Sequence, residues 1–217
     1  MVSQVISWIP QLLSGARITI LLTVSSVTMG LFLSIFLALG KMSKKKILSG
    51  ICNAYIFFFR GTPLLMQLYF IYFGLPQISM ALTINNRFLA AFLAFSLNSA
   101  AYCSEIIRAA IQSIDKGQFE ASKVLGFTKA QTMGLVIFPQ SIRRLIPPVA
   151  NEFIMVLKDA SLVSIIALAD LTKVTRSISS STGTALVYIP AMILYLIMTA
   201  FFEFFFHRTE ERFSRYE

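Results

Sequence analysis

Histidine is all but missing from this 217-residue chain, with His207 the single example. One imidazole builds no histidine metal site and no nucleophile–base set, so neither a metalloenzyme nor a membrane-embedded hydrolase has its parts here. Cysteine is nearly as scarce. Cys52 and Cys103 are far apart, each in or beside an apolar stretch, with no Cys-x-x-Cys spacing. That excludes a disulfide framework and a cysteine metal centre. A phosphate-binding loop is missing too, because Gly40-Lys41-Met42 does not fit its Gly-Lys-Ser/Thr ending, so the chain should not hydrolyse ATP by itself. Charge is the most telling shortage. Charged residues make up 13% of the sequence and hydrophobic residues 56%, where a soluble domain carries about 25% charged. The apolar excess has to face lipid.

What is present falls into long apolar runs. Residues 18–40 form the first, uncharged, long enough to cross the hydrocarbon core and too long for a signal-peptide core. The second, 52–75, contains Arg60-Gly61-Thr62-Pro63, which should bend or break its helix in the first third. Residues 76–87 read as a turn-rich loop, and 88–107 as the third span. A fourth, irregular span covers 141–157 around Pro147-Pro148, then a short apolar helix over 162–171, a Ser/Thr/Gly loop over 177–184, and a last span at 185–206. The expectation is an all-α integral membrane protein, one transmembrane domain over residues 1–217 with about five transmembrane helices.

Net charge is +9, but the basic residues gather in short loops rather than on a nucleic-acid-binding face. Lys41, Lys44, Lys45, Lys46 and Arg60 flank the first loop. Arg108, Lys116, Lys123, Lys129, Arg143 and Arg144 flank the second, and Arg208, Arg212 and Arg215 lie in the tail. Cytoplasmic loops carry the Lys/Arg excess, which places the amino terminus outside, the carboxyl terminus inside and the polar segment 111–139 in the cytoplasm. In that segment Asp115 and Glu120 open a helical stretch, Gly126 suits a left-handed C-cap, Thr128 caps a second helix over 129–137, and Pro139 ends it. On physical grounds this is either a docking knob or an ordinary interfacial helix pair.

The same segment resembles the EAA loop of bacterial ABC-importer permeases: Glu-Ala-Ala, three residues, Gly, nine residues, Ile, one residue, Leu-Pro. Here Glu120-Ala121-Ser122, Gly126, Val136, Phe138 and Pro139 keep that spacing, with Ser122, Val136 and Phe138 as departures. Further stretches resemble the polar-amino-acid branch of the family: Arg60-Gly61-Thr62-Pro63-Leu64-Leu65-x-Gln67-Leu68, Phe70 to Pro76, Ser113-Ile114-x-x-Gly117-Gln118, and Pro147-Pro148-x-x-Asn151-Glu152-Phe153-Ile154 on to Lys158-Asp159-Ala160-Ser161-Leu162. The branch commonly has Thr where Ala160 stands. The likeness covers roughly residues 17 to 207.

The resemblance implies a type I ABC importer permease of the MetI-like fold in a bacterial plasma (inner) membrane. It implies two copies of a cytosolic ATPase subunit that bind the ATP and Mg, a second permease chain (identical or paralogous), an extracytoplasmic amino-acid-binding protein, a polar amino acid substrate of the arginine/histidine/lysine or glutamine/glutamate type, and surrounding lipid. No cofactor, metal or nucleic acid is expected on the chain itself. The coupling residues it implies are Gly117, Glu120, Ala121, Ser122, Gly126 and Phe127. A motor-independent ion channel is the alternative, one with no use for the 117–126 knob.

Several side chains admit two readings. Glu120 either contacts the ATPase or is a solvated helix charge. Arg60 either acts at the helix break or snorkels to the inner surface. Glu203, in a phenylalanine stripe, reaches the interface near Arg208. Asn98, Ser99 and Tyr102, with Thr62 and Gln67 at the break, line the path or hold helices together. Glu152 and Lys158, with Asn151 and Asp159 nearby, are expensive in a membrane and so face a cavity or pair. Six apart, Glu152 and Lys158 point about 120° away from each other on a straight helix. They read either the ammonium and carboxylate of an amino acid, or Glu152 reads a cationic side chain such as that of arginine, lysine or histidine.

Overall fold

The computed structural model describes residues 2–214, and all regular structure among them is helical. Helix α1 runs Val2–Lys41, so the first helix begins well before the expected residue 18. At 1.5 Å per residue its forty residues reach about 60 Å, twice the hydrocarbon thickness. The extra turns are held by packing: Trp8, Leu12 and Ala16 recur every fourth residue and are buried against Leu171, Ile178, Val187 and Ala191.

Helix α2 (Lys46–Gly61) stops where the Gly-Thr-Pro signal places the break, and the chain turns 103° into the next helix. That next rod is α3 (Leu64–Tyr69), a π-turn (Phe70–Gly74) and α4 (Leu75–Ile78). A broken helix leaves carbonyls without partners in lipid. Gln67 supplies them: its Nε2 donates to Phe59 O at 2.9 Å, Thr62 O at 3.1 Å and Thr62 Oγ1 at 2.8 Å. Asn98 Nδ2 donates to Phe59 O and to Gln67 Oε1, each at 3.0 Å, tying the break to the following helix.

Helix α5 (Arg87–Gln112) is the axis of the molecule, capped by Asn86 Oδ1 accepting from Leu89 N–H. Its buried face is mostly small: Ala90, Ala91, Ala94, Ser99, Ala100, Ala101 and Cys103. Small faces let membrane helices approach closely. A Cβ on Gly30 of α1 would stand 2.9 Å from Ser99 Cβ, so that crossing admits glycine alone.

Helix α6 (Lys116–Val124) follows, then α7 (Lys129–Gln131), a π-turn (Thr132–Ile137) and α8 (Phe138–Asp159). Here the structure corrects the sequence reading. Pro139 does not end the second coupling helix; the rod runs unbroken from 129 to 159. A proline ring crowds the preceding turn and lacks an N–H. Both π-turns sit just ahead of a proline, with Leu75 N–H bonded to Phe70 O before Pro76 and Phe138 N–H to Met133 O before Pro139. Widened turns make room for the rings without breaking the rod.

Residues 158–184 also differ. The expected helix over 162–171 is a 3₁₀ stretch, Ala160–Ile166, closed by left-handed Ala167. The expected Ser/Thr loop is instead the second half of α9 (Leu171–Thr182). Asp170 caps that helix through Lys173 and Thr172 N–H, and the hydroxyls of Thr175 and Thr182 bond carbonyls four residues back rather than pulling the chain into turns. Helix α10 (Tyr188–Ser214) continues past the expected end at 206. Phe202 and Phe206 pack on Phe153 of α8, while Phe201, Phe204 and Phe205 face outward beside exposed Glu203. Arg208 stacks over the Phe204 ring, 5.1 Å from its centroid; Arg215 lies outside the described residues.

Candidate functional site

Two features carry chemistry, and α5 and α8 connect them. The first is the exposed knob at 115–131. Asp115 Oδ1 accepts from Gly117 N–H at 2.6 Å, and a Cβ on Gly117 would meet that same oxygen. Helix α6 is closed just past its last residue by Gly126, whose φ is +78°. Phe127 N–H bonds Ser122 O and Gly126 N–H bonds Lys123 O, the paired closure of a left-handed cap. Thr128 and Gln131 then form a reciprocal capping box that starts the next helix. Each cap follows from its residue type, and together they fix the angle between α6 and the long rod that begins at α7.

The outer face of the knob is unusually apolar for a polar segment. Phe119, Val124, Leu125 and Phe127 are exposed, and Val124 keeps 87% of its surface free. Glu120 and Ala121 are exposed beside them, whereas Ser122 is buried and its hydroxyl bonds Gln118 O. Exposed carbon ringed by Lys123, Glu120 and Lys129 is how a surface built to be covered by another protein looks.

The second feature is a cavity of 160 Å³ between the helix break, α5 and α8. Thr62, Asn98, Tyr102, Glu152 and Asp159 line it. Glu152 is 6% exposed and lies deep; Asp159 is exposed at the rim. The two are seven residues apart on α8, two turns, and so share a face. No lysine or arginine is among the residues lining the cavity. Its walls therefore present two acids, an amide, a phenol and a hydroxyl.

The nine path candidates separate accordingly. Five of them meet at the cavity. Ser99 is buried one turn away, near the Glu152 carboxylate. Gln67 is buried and spends its amide holding the break together. Asn151 and Lys158 are exposed and off the cavity. The helix stays regular from Glu152 to Asp159, so Lys158 points away as the 120° argument requires. Asp159, given only a neighbouring place in the sequence reading, takes the second position; the seven-residue spacing was the available signal.

Arg60 is the residue whose surroundings the sequence hides. Its Cζ lies 5.3 Å from the Tyr102 ring centroid, and its Nη1 lies 3.7 Å from Glu105 Oε2. Glu105 also holds Lys41 Nζ at 2.7 Å and Arg108 Nη2 at 2.8 Å. Helices α1, α2 and α5 are thus pinned at one carboxylate. An apolar recess of 530 Å³ opens elsewhere, between α1, α5, α8 and α10, but its walls are almost wholly carbon and offer nothing to orient an amino acid. Among the described residues no group of three or more His, Cys, Asp and Glu is arranged to hold a metal.

Residues 30–215 match the family described as binding-protein-dependent transport system inner membrane component. The chain is 40% identical over 212 residues to the L-cystine transport system permease protein TcyB of Bacillus subtilis, covering 97% of this chain and 89% of that one. It is also 40% identical over 198 residues to the arginine transport system permease protein ArtQ of the same organism, covering 90% of each. A solved amino acid ABC transporter with histidines superposes with a TM-score of 0.90 at 42% identity, over 95% of this chain and 96% of that chain. The chain belongs to the inner-membrane components of binding-protein-dependent transport systems and is an amino acid ABC importer permease. A motor-independent channel does not fit that membership.

Proposed function

We propose that this permease carries a cationic amino acid, read by Glu152 and Asp159. The observation that carries the reading is the pair of carboxylates facing one small cavity with no lysine or arginine in its walls. Acids that share a membrane cavity with no basic side chain in its lining attract a cation, and a guanidinium, ammonium or imidazolium is the complement an amino acid offers. The arginine permease and the histidine-related transporter among its relatives support this choice; the cystine permease, at equal identity, shows that likeness alone does not make it. The test is calorimetric titration of the detergent-solubilised complex. L-Arginine, L-lysine or L-histidine should give saturable binding and L-glutamine, L-glutamate and L-cystine none; preferential binding of L-glutamate would reverse the reading.

The chain works in a bacterial inner membrane with five spans: α1, the broken α2–α3 unit, α5, α8 and α10. Among the described residues three single helices and the bent pair are long and apolar enough to cross. Helix α8 is the polar fifth, with Glu152 and Asp159 turned to the cavity. The amino terminus lies outside and the carboxyl terminus inside, by the basic-residue asymmetry. Two copies of a separate ATPase, which bind the ATP and Mg, dock on the 117–139 knob. A second permease chain, identical or paralogous, completes the path, and an extracytoplasmic binding protein delivers the substrate. Orientation is checked by cysteine labelling with Cys52 and Cys103 replaced. An impermeant maleimide added outside should modify Gln77→Cys and spare Ser43→Cys; the reverse pattern inverts the topology.

A further inference from the structure

Helices α5 and α8 run side by side in opposite directions, and two cavities are stacked along them. Asn98 and Tyr102 of α5 face Glu152 and Asp159 of α8 in the first. Tyr102, Glu105 and Arg108 face Pro148 and Arg144 in the second, which has a volume of 610 Å³. Tyr102 is the wall they share. Arg60 lines the second and not the first, with its guanidinium laid against that wall. Along α5 the order is Asn98, Tyr102, Glu105, Arg108, and Arg108 is one turn from the end of the helix that leads into the knob. The second cavity therefore lies between the carboxylate pair and the coupling segment.

We infer that Arg60 is the residue that closes the substrate cavity on its cytoplasmic side, as a charge of the same sign as the substrate side chain. The inference rests on the reading of the outer cavity as a cation site. A guanidinium against an aromatic face is held by the ring quadrupole, and here Glu105 Oε2 also lies 3.7 Å from Arg60 Nη1. A substrate cation bound by Glu152 and Asp159 meets Arg60 as the next charge inward. Like charges repel at short range, so its passage inward is opposed. Release requires Arg60 to leave Tyr102. Its position supplies the means: Arg60 occupies the last turn of α2, directly before the 103° break, so small rotations of α2 swing it. Glu105 is on the helix that runs into α6, so movement of the knob reaches Arg60 through one ion pair. Arg60 is thus a selective positioning element and not a snorkelling anchor.

The test reads access to the outer cavity, whatever the substrate. Met155 lines that cavity. Met155→Cys is made with Cys52 and Cys103 replaced, in the complete complex in inside-out vesicles. It is then modified from the cytoplasmic face by two methanethiosulfonates of similar size, one a quaternary ammonium and one a sulfonate. With Arg60 present the sulfonate should react faster. Arg60→Gln should raise the ammonium reagent's rate about tenfold, the equivalent of about 1.4 kcal/mol off the barrier, and slow the sulfonate. Arg60→Lys should keep the parental order. Should Arg60→Gln fail to assemble, Tyr102→Leu removes the ring and is expected to raise the ammonium rate likewise. An unchanged ammonium rate in Arg60→Gln overturns the inference, as does an equal rise for both reagents, which reports a loosened helix and not a charge gate. Because no amino acid enters this assay, its failure is distinguishable from failure of the cation reading, which the titration decides.

Discussion

Glu152→Gln should weaken binding of L-arginine about thirty-fold, because a charge-assisted hydrogen bond between buried partners contributes about 2 kcal/mol. The side chain is deep and 6% exposed, so water cannot replace the lost carboxylate. Asp159→Asn should weaken it less, since Asp159 stands at the exposed rim where solvent screens it. The double variant should lose less than the two effects added, as both acids read one charge. Lys158→Met should bind as the parent does, its side chain being exposed and off the cavity. Titration of the purified complexes measures all four, with recovery of the ATPase subunit as the assembly control. Parental affinity in the double variant, alongside a large loss in Lys158→Met, would place the path on the other face of α8.

Gly126→Val should abolish coupled uptake, a loss of at least about tenfold. Gly126 has φ +78°, and a left-handed residue with a side chain costs about 1–2 kcal/mol, more when β-branched. A Cβ there would touch nothing within 4 Å, so the whole effect is backbone strain in the turn that sets α6 against α7. That permits a graded series. Gly126→Ala should be intermediate, and Gly126→Asn close to the parent, since asparagine tolerates the left-handed region. Uptake and the amount of ATPase retained on the permease should fall together, with membrane insertion unchanged. Normal uptake in the valine variant would detach the knob from coupling.

The knob was the most legible part of the molecule. Asp115, Gly126 and Thr128 each act through bonds to residues within a few positions, so their roles follow from residue type and spacing. The break at Gly61-Thr62-Pro63 was legible for the same reason. Misreadings occurred where distant packing overrides a local signal. Pro139 and Pro76 look like terminators, and π-turns carry the chain through both. The hydroxyl-rich 177–182 stretch looks like a loop, but Leu171 and Ile178 are buried against α1 and hold it helical. Residues 2–17 carry no span signal and are helical because Trp8, Leu12 and Ala16 have a surface to cover. At the cavity, a grouping along one helix is legible and a grouping across helices is not. That Asp159 joins Glu152 follows from seven-residue spacing on one helix. That Arg60 meets Tyr102 and Glu105 requires knowing how α2 crosses α5, forty residues on, and no local pattern encodes it.

The most direct measurement of the central claim is ATP-dependent accumulation in proteoliposomes. The complete complex, with its ATPase and binding protein, is offered labelled L-arginine, L-lysine, L-histidine, L-glutamine, L-glutamate and L-cystine one at a time, with and without ATP. Accumulation of one or more of the three cationic amino acids, only with ATP and lost in Glu152→Gln, is the predicted result. Accumulation of L-glutamine, L-glutamate or L-cystine in their place, or movement of any of the six at the same rate without ATP, would contradict the account.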